Sequence, residues 1–394
     1  MKGMFCKRFI ALVTMLTLVC SMLLPYSNAS AETGSALNIE AGAAILVEAN
    51  SGKILYQKNA DELLSIASMT KMMSEYLVHE AVDKGKLKWD QKIKVSEYAY
   101  KVSQDASLSN VALENGGSYT VKELYEAMAI FSANGATIAL AEAIAGKEVD
   151  FVKMMNDKSK ELGLKNYKFV NSTGLTNKDL KGMHPEGTTA DEENKMSAKD
   201  VATLAQHLIK DYPKVLDTAK IPKKEFRPEK EKFAMSNWNW MLKGLVKEYD
   251  GVDGLKTGST PEAGDCFTGT VERNGMRFIS VVIKTSSHTA RFDETKKLYD
   301  YGFANFEMKQ MYKKGSSVKG QEAPIKKGAA LGQMVITPKD TNDPGFLTGK
   351  SLQVDLVTTS EVEEANWFTR AMRGIGSFFS GIWNSAVDTV KGWF

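Results

Sequence analysis

The sequence predicts an α/β chain of the α+β kind, an antiparallel sheet covered by helices, and three observations predict it. Strand-like runs stand near both ends of the body, at residues 43–59 and 254–284. The stretch between them carries helical patterns. The last two strand runs meet at Arg273-Asn274-Gly275, where Asn-Gly is a strong two-residue hairpin signal. The first and last strands of the sheet should therefore come from opposite ends of one domain.

In chain order, residues 43–49 read as a buried strand, Asn50-Ser51-Gly52 as a turn and residues 53–59 as the returning strand. From Ser68 the apolar positions Met69, Met72, Met73, Tyr76, Leu77 and Ala81 recur at helical spacing and end near Gly85. Thr120 and Glu123 have the form of a capping box, opening a helix through Leu124, Tyr125 and Met128 towards Phe131. A second helix is expected from about Thr137 to Ala145. After Gly251 come β-rich runs at 254–259, 267–271 and 276–284. Residues 330–336 and 352–357 also look like strands, fewer than a closed sandwich needs.

The chain has 394 residues, 43% hydrophobic and 25% charged, with 51 Lys+Arg against 48 Asp+Glu. That balance is globular, and the length suggests about two domains. Residues 1–31 combine Lys2, Lys7 and Arg8, an uncharged apolar run and the small-residue triplet Ala29-Ser30-Ala31, the pattern of a cleaved secretory leader. Setting them aside removes three basic residues and no acid, leaving 48 of each sign, so no electrostatic case for nucleic acid survives. Cys6 and Cys20 leave with the leader. Cys266 stands alone, and in an apolar strand it is expected to be a buried core residue. At the other end, residues 361–394 place three Trp and four Phe along one helical face opposite Gly, Ser, Asn and Lys. Such a segment suits the membrane interface better than a span across it.

The chemistry concentrates in three short motifs. Ser68-Met69-Thr70-Lys71 sets a hydroxyl and an amine three residues apart on one helix face, where a neutral lysine could take the serine proton. The same spacing at Ser316 and Lys319 lies in a Lys/Gly-rich loop with no partners downstream. What singles out the first is the order that follows: Ser132-Ala133-Asn134 at the junction of two expected helices, then Lys256-Thr257-Gly258 on an expected strand. Together they describe a serine acyl-transfer site: a nucleophile with its base, a second hydroxyl with an amide, and a strand edge able to hold an anion. The four histidines, His79, His184, His207 and His288, show no metal-ligand spacing, and neither a metal nor a cofactor is expected.

In these motifs the chain resembles a low-molecular-weight penicillin-binding protein, a D-alanyl-D-alanine carboxypeptidase of the penicillin-binding protein 5 type, serine peptidase family S11. The resemblance runs from about residue 36 to 306. It includes Asn171-Ser172-Thr173-Gly174-Leu175, Asp253-Gly254-Leu255-Lys256-Thr257-Gly258, and Arg291-Phe292 ahead of Leu298-Tyr299-Asp300-Tyr301-Gly302-Phe303. It implies a penicillin-binding or serine β-lactamase-like transpeptidase fold, a sheet with helices on both faces plus a helical subdomain. The expected organisation is a leader at 1–31, a catalytic domain at 32–307, a β-rich domain at 308–360 that departs from the resemblance in being smaller than relatives usually carry, and an anchoring amphipathic helix at 361–394.

The resemblance also implies roles. Ser68 would attack the carbonyl between the terminal D-alanines of a peptidoglycan pentapeptide stem, and Lys71 would accept its proton. The backbone N–H groups of Ser68 and Ser259 would form the oxyanion hole. Ser132 and Lys256 would relay a proton to the leaving D-alanine, Asn134 would hold a substrate amide, and Thr257 and Arg291 would bind the terminal carboxylate beside Gly258. Some relatives have His where this chain has Ser259. β-Lactams should acylate Ser68, and the enzyme should work at the outer face of the bacterial cytoplasmic membrane. Two alternatives share the motifs. A serine β-lactamase would be expected to show S-D-N rather than S-A-N and an E-x-x-L-N element. A silent cell-wall-binding protein on the membrane surface would lack a catalytic group, and none is missing.

Overall fold

A computed structural model describes residues 37–227, 229–230, 232–307, 325–328, 330–336 and 343–357. The leader at 1–31, the Ser316–Lys319 repeat of the spacing and the amphipathic stretch at 361–394 lie outside the described residues. Among the described residues no helix is long and apolar enough to cross a membrane.

Five strands build the main sheet: β1 Ala43–Glu48, β2 Ile54–Lys58, β3 Val252–Thr260, β4 Gly264–Arg273 and β5 Met276–Thr285. Their order is β3-β4-β5-β1-β2, and every neighbouring pair is antiparallel. The N-terminal strand thus pairs with the last strand, Ala43 opposite Ile283 and Glu48 opposite Phe278. The turn between β4 and β5 is the expected one, with Asn274 and Gly275 at φ of 52° and 76°, the left-handed pair that a tight hairpin of this twist needs. Strands β3 to β5 run a few residues beyond the sequence-based limits, because ladder pairing extends each strand past its apolar core.

Every residue of β1 is buried, so the sheet is covered on both sides. Alternation assigns the two faces. Ile45, Val47, Ile279, Val281 and Ile283 join the main core with Val201, Leu204 and Leu208. The opposite face carries Leu46, Phe278 and Ser280, which meet the helix Ala290–Asn305: Ser280 Oγ lies 2.9 Å from the Tyr299 hydroxyl, and Phe278 packs on Phe303.

The helices are α1 Lys71–Asp83, α2 Glu97–Ser103, α3 Val121–Phe131, α4 Asn134–Ala145, α5 Glu148–Glu161, α6 Ala198–Asp211, α7 Val215–Ala219 and α8 Ala290–Asn305. Helix α1 is buried nearly all round, between the sheet and the helices α3 to α6. The capping box forms as expected: Thr120 Oγ1 accepts from Glu123 N, and the Glu123 carboxylate accepts from Thr120 N. Helix α4 begins three residues earlier than Thr137. Its first N–H groups find partners across the chain, Asn134 N on the Ser109 carbonyl (3.0 Å) and Gly135 N on Asn110 Oδ1 (3.0 Å), a long-range cap that no local pattern announces.

Beyond α8, strands Ala330–Ile336 and Leu352–Val357 pair antiparallel, at the positions the sequence indicated. Residues 343–347, ahead of the second of these strands, are tied to the β1–β2 turn. Leu347 N donates to the Gly52 carbonyl, Ile54 N donates to the Gly345 carbonyl, and Lys53 pairs with Asp343.

Candidate active site

Ser68 sits in a 3-10 turn, Ala67–Thr70, that runs directly into α1, so Lys71 is the first residue of the helix and lies over the serine. Lys71 Nζ is 3.0 Å from Ser68 Oγ, 2.8 Å from Asn134 Oδ1 and 2.7 Å from the Thr173 carbonyl. The Asn134 amide orientation is set by its other end, where Nδ2 donates to the Ser109 carbonyl at 2.9 Å. Asn134 Oδ1 and the Thr173 carbonyl can only accept. A neutral amine therefore spends its two N–H donors on them and turns its lone pair to the Ser68 hydroxyl. Burial, followed by the charge of Lys256, holds the Lys71 pKa well below the usual lysine value, with Glu75 opposing.

The Thr173 carbonyl is presented by a tightly held turn. Asn171 Oδ1 accepts from Thr173 N and Gly174 N, Asn171 Nδ2 donates to the Leu175 carbonyl, and Ser172 N donates to the buried Glu148. Gly174 has φ of +83°, and a Cβ there would fall 2.0 Å from the Ala67 carbonyl oxygen, next to the nucleophile. The Asn171–Leu175 run, whose role the sequence left open, thus builds one wall of the lysine's surroundings.

Ser132 ends α3 in the left-handed conformation, φ +62°, with its Oγ buried and without a hydrogen-bond partner. Strand β3 runs against the Ser68 turn so closely that a Cβ on Gly258 would lie 2.6 Å from the Ile66 carbonyl oxygen. Lys256 is buried there, its Nζ donating to the Thr257 carbonyl at 3.2 Å. Burial pushes its pKa down to about 8, against the charge of Glu75 and with that of Arg291. Arg291, in the first turn of α8, is 2% exposed; its Nη1 reaches the Gly258 carbonyl (3.3 Å) and Asp265 Oδ1 (3.4 Å), and its Nε is buried without a partner.

One cleft is lined by Ser68, Ser132, Thr257, Gly258, Ser259 and Arg291, with Ser109, Trp238 and His288 added. Lys71, Asn134 and Lys256 stand behind it, so the structure gathers all nine residues singled out in the sequence. Ser132 and Lys256 are not hydrogen-bonded to each other; Lys256 Nζ turns to its neighbour's carbonyl. Asn134 is engaged by Lys71 and Ser109, which leaves one Nδ2 hydrogen for a substrate. Sequence reasoning missed Ser109, Trp238, His288, Asp265 and Glu75. Of these only Glu75 carried a local signal, one turn beyond Lys71 on the same helix.

A hydroxyl facing a buried amine whose pKa is lowered, a second buried hydroxyl, and a basic strand edge beside the cleft define a serine acyl-transfer enzyme as the class. The family model for D-alanyl-D-alanine carboxypeptidase matches residues 29–287. The chain is 40% identical over 295 residues to the D-alanyl-D-alanine carboxypeptidase DacF of Bacillus subtilis, covering 75% of this chain and 69% of that one. Among solved structures it is similar to a peptidoglycan synthesis regulatory factor (PBP3) from Streptococcus pneumoniae, TM-score 0.75 at 36% identity, covering 82% of this chain and all of that one. It is also similar to penicillin-binding protein D2 from Listeria monocytogenes in its ampicillin-bound form, TM-score 0.56 at 34% identity over 68% of this chain and 98% of that one. The chain belongs to the D-alanyl-D-alanine carboxypeptidase family.

Proposed function

We propose that this serine-type D-alanyl-D-alanine carboxypeptidase removes the terminal D-alanine of peptidoglycan stems through an acyl-enzyme on Ser68. The observation that carries the assignment is the 3.0 Å approach of Lys71 Nζ to Ser68 Oγ, with the amine's other two positions occupied by acceptors. Ser68 Oγ adds to the carbonyl between the two D-alanines as its proton passes to Lys71. The oxyanion is stabilised by the N–H groups of Ser68 and Ser259. Collapse breaks the C–N bond, and the proton that Lys71 accepted is relayed by the buried Ser132 hydroxyl and Lys256 to the departing amine, which leaves Lys71 neutral again. Thr257 and Arg291 hold the terminal carboxylate. Water then adds to the ester, regenerating Ser68 and releasing the shortened stem.

A β-lactam presents a strained amide next to a carboxylate and should acylate Ser68; the ampicillin-bound form of the Listeria relative supports this reading. The leader at 1–31 and the amphipathic stretch at 361–394 put the enzyme at the outer face of the membrane, on sequence pattern alone.

The test is a labelled penicillin added to the exported chain, with intact mass followed over time and the adduct mapped by digestion, alongside release of D-alanine from a pentapeptide. A long-lived adduct on Ser68 with D-alanine release is expected. An adduct on another residue, or none, would overturn the assignment. Penicillin consumed with loss of the adduct in milliseconds would favour the β-lactamase reading.

A further inference from the structure

His288 lines the cleft, yet the mechanism above gives it no part. It stands in the short connection from β5 to α8, and that connection is pinned on both sides. Ser287 Oγ accepts from Ala290 N at 3.1 Å, and the Thr285 hydroxyl donates to the Asp265 carbonyl at 2.8 Å. His288 Nδ1 lies 3.0 Å from Asp265 Oδ1. A carboxylate oxygen accepts, so Nδ1 carries a proton and Nε2, on the far edge of the ring, is left for another partner. The His288 side chain is 53% exposed and that of Asp265 12%. The ring thus bridges a buried anion and the open cleft.

The strand register places this pair. Asp265 on β4 is directly opposite Ser259 on β3, and Thr257 stands two residues before Ser259. Directly opposed residues of an antiparallel pair point to one face, and so do alternate residues of one strand. The Asp265 side chain therefore shares a face with those of Thr257 and Ser259, at the edge of the cleft assigned to the substrate carboxylate. Arg291 reaches the same place from α8: its Nη1 is 3.4 Å from the Asp265 oxygen that His288 meets and 3.3 Å from the Gly258 carbonyl. One negative charge thus faces two basic groups. With the imidazole protonated the trio carries one positive charge in excess, the complement of one carboxylate; with it neutral the trio sums to zero. Further charged groups on this side are Lys256 on β3, on which the Arg291 charge acts, and Glu193, which accepts from the Thr260 hydroxyl at 3.1 Å at the end of that strand.

Resting on the carboxypeptidase reading, we propose that His288 is a specificity residue whose imidazolium, tethered by Asp265, gives the carboxylate of the leaving D-alanine a second cationic contact beside Arg291. The bond to Asp265 occupies one ring nitrogen and so fixes which nitrogen meets the substrate. The consequence is selectivity for chain ends. A peptide whose scissile bond is followed by a free carboxylate meets two cations held by one anion, and the ester of the same peptide makes neither ion pair. The preference for the free acid is strongest where the imidazole holds its proton and is lost as pH rises through the range in which histidine titrates.

The test is kcat/KM of the exported chain on a peptide ending in D-Ala-D-Ala and on its methyl ester, between about pH 5 and 8, for the unmodified protein, His288→Gln and His288→Lys. At the acid end His288→Gln is expected to lower the value for the free acid about three- to tenfold, through KM, the scale of a charge-assisted contact at a half-exposed position. The ester moves far less. The acid-to-ester ratio of the unmodified protein falls as pH rises, whereas that of His288→Gln stays level and that of His288→Lys, which keeps a cation there, stays high throughout. An unchanged ratio in His288→Gln, or equal losses on acid and ester, would reduce the pairing with Asp265 to a structural contact and overturn the proposal. In an Arg291→Ala background His288→Gln is expected to lower the ratio further; no further loss would mean that His288 acts only by holding Arg291, which also overturns it. An unmodified protein that forms no Ser68 adduct and releases no D-alanine would instead bring down the carboxypeptidase reading, and this inference with it.

Discussion

Lys71 Nζ and Asn134 Oδ1, 63 residues apart in the chain, are hydrogen-bonded at 2.8 Å, and this bond joins the first motif to the second. It also decides where the lysine's lone pair points. Replacing Lys71 by Ala is expected to slow acylation of Ser68 by roughly 10²–10⁴-fold, the range for a positioned general base. Asn134→Ala keeps the amine but frees one of its N–H groups, so a smaller loss is expected, about tenfold for one hydrogen bond. Stopped-flow acylation of the two variants checks both; equal losses would mean that Asn134 does more than aim the lysine.

The pH profile should be bell-shaped. Acylation needs Lys71 neutral, so the rate rises with pH as Lys71 loses its proton, well below the usual lysine range because of burial and the Lys256 charge. It also needs Lys256 protonated, and burial puts that loss at about 8. The rate is therefore expected to fall above about pH 8. A rate still climbing at pH 10 would count against both assignments.

Arg291 reaches the Gly258 carbonyl and shares Asp265 with His288, whose Nδ1 is 3.0 Å from the same carboxylate oxygen. With Arg291→Ala, kcat/KM for a peptide ending in a free carboxylate should drop about 10–100-fold, as a charge-assisted contact is lost. The methyl ester of the same peptide should be affected far less. Equal losses on both would assign Arg291 to folding rather than to the substrate carboxylate.

Gly174→Ala would place a Cβ 2.0 Å from the Ala67 carbonyl oxygen at a φ of +83°. Both the clash and the backbone conformation oppose it, and a loss of roughly 2–4 kcal/mol in unfolding free energy is expected, read from the denaturant midpoint. The folded fraction should also acylate more slowly, because the displaced turn carries the Thr173 carbonyl that holds Lys71.

Local chemistry decided much of this protein before any tertiary contact. The Asn274-Gly275 hairpin, the Thr120–Glu123 capping box and the strands of the small β-rich region follow from turn geometry, capping and alternation, which act over a few residues. The three motifs follow from spacing: Ser68 and Lys71 share a helix face wherever that helix is placed. The start of α4 was less legible, since Ser109 and Asn110 cap it from 25 residues away. Only the tertiary structure decided that the Thr173 carbonyl belongs to the Lys71 site, that Trp238 and His288 line the cleft, and that Arg291 shares a carboxylate with His288. It also decided that Glu75, one more residue on a helical pattern, is buried and takes its hydrogen bond from Tyr125. Electrostatics and close approach depend on distance through space and on burial, and neither is written in the order of residues along the chain.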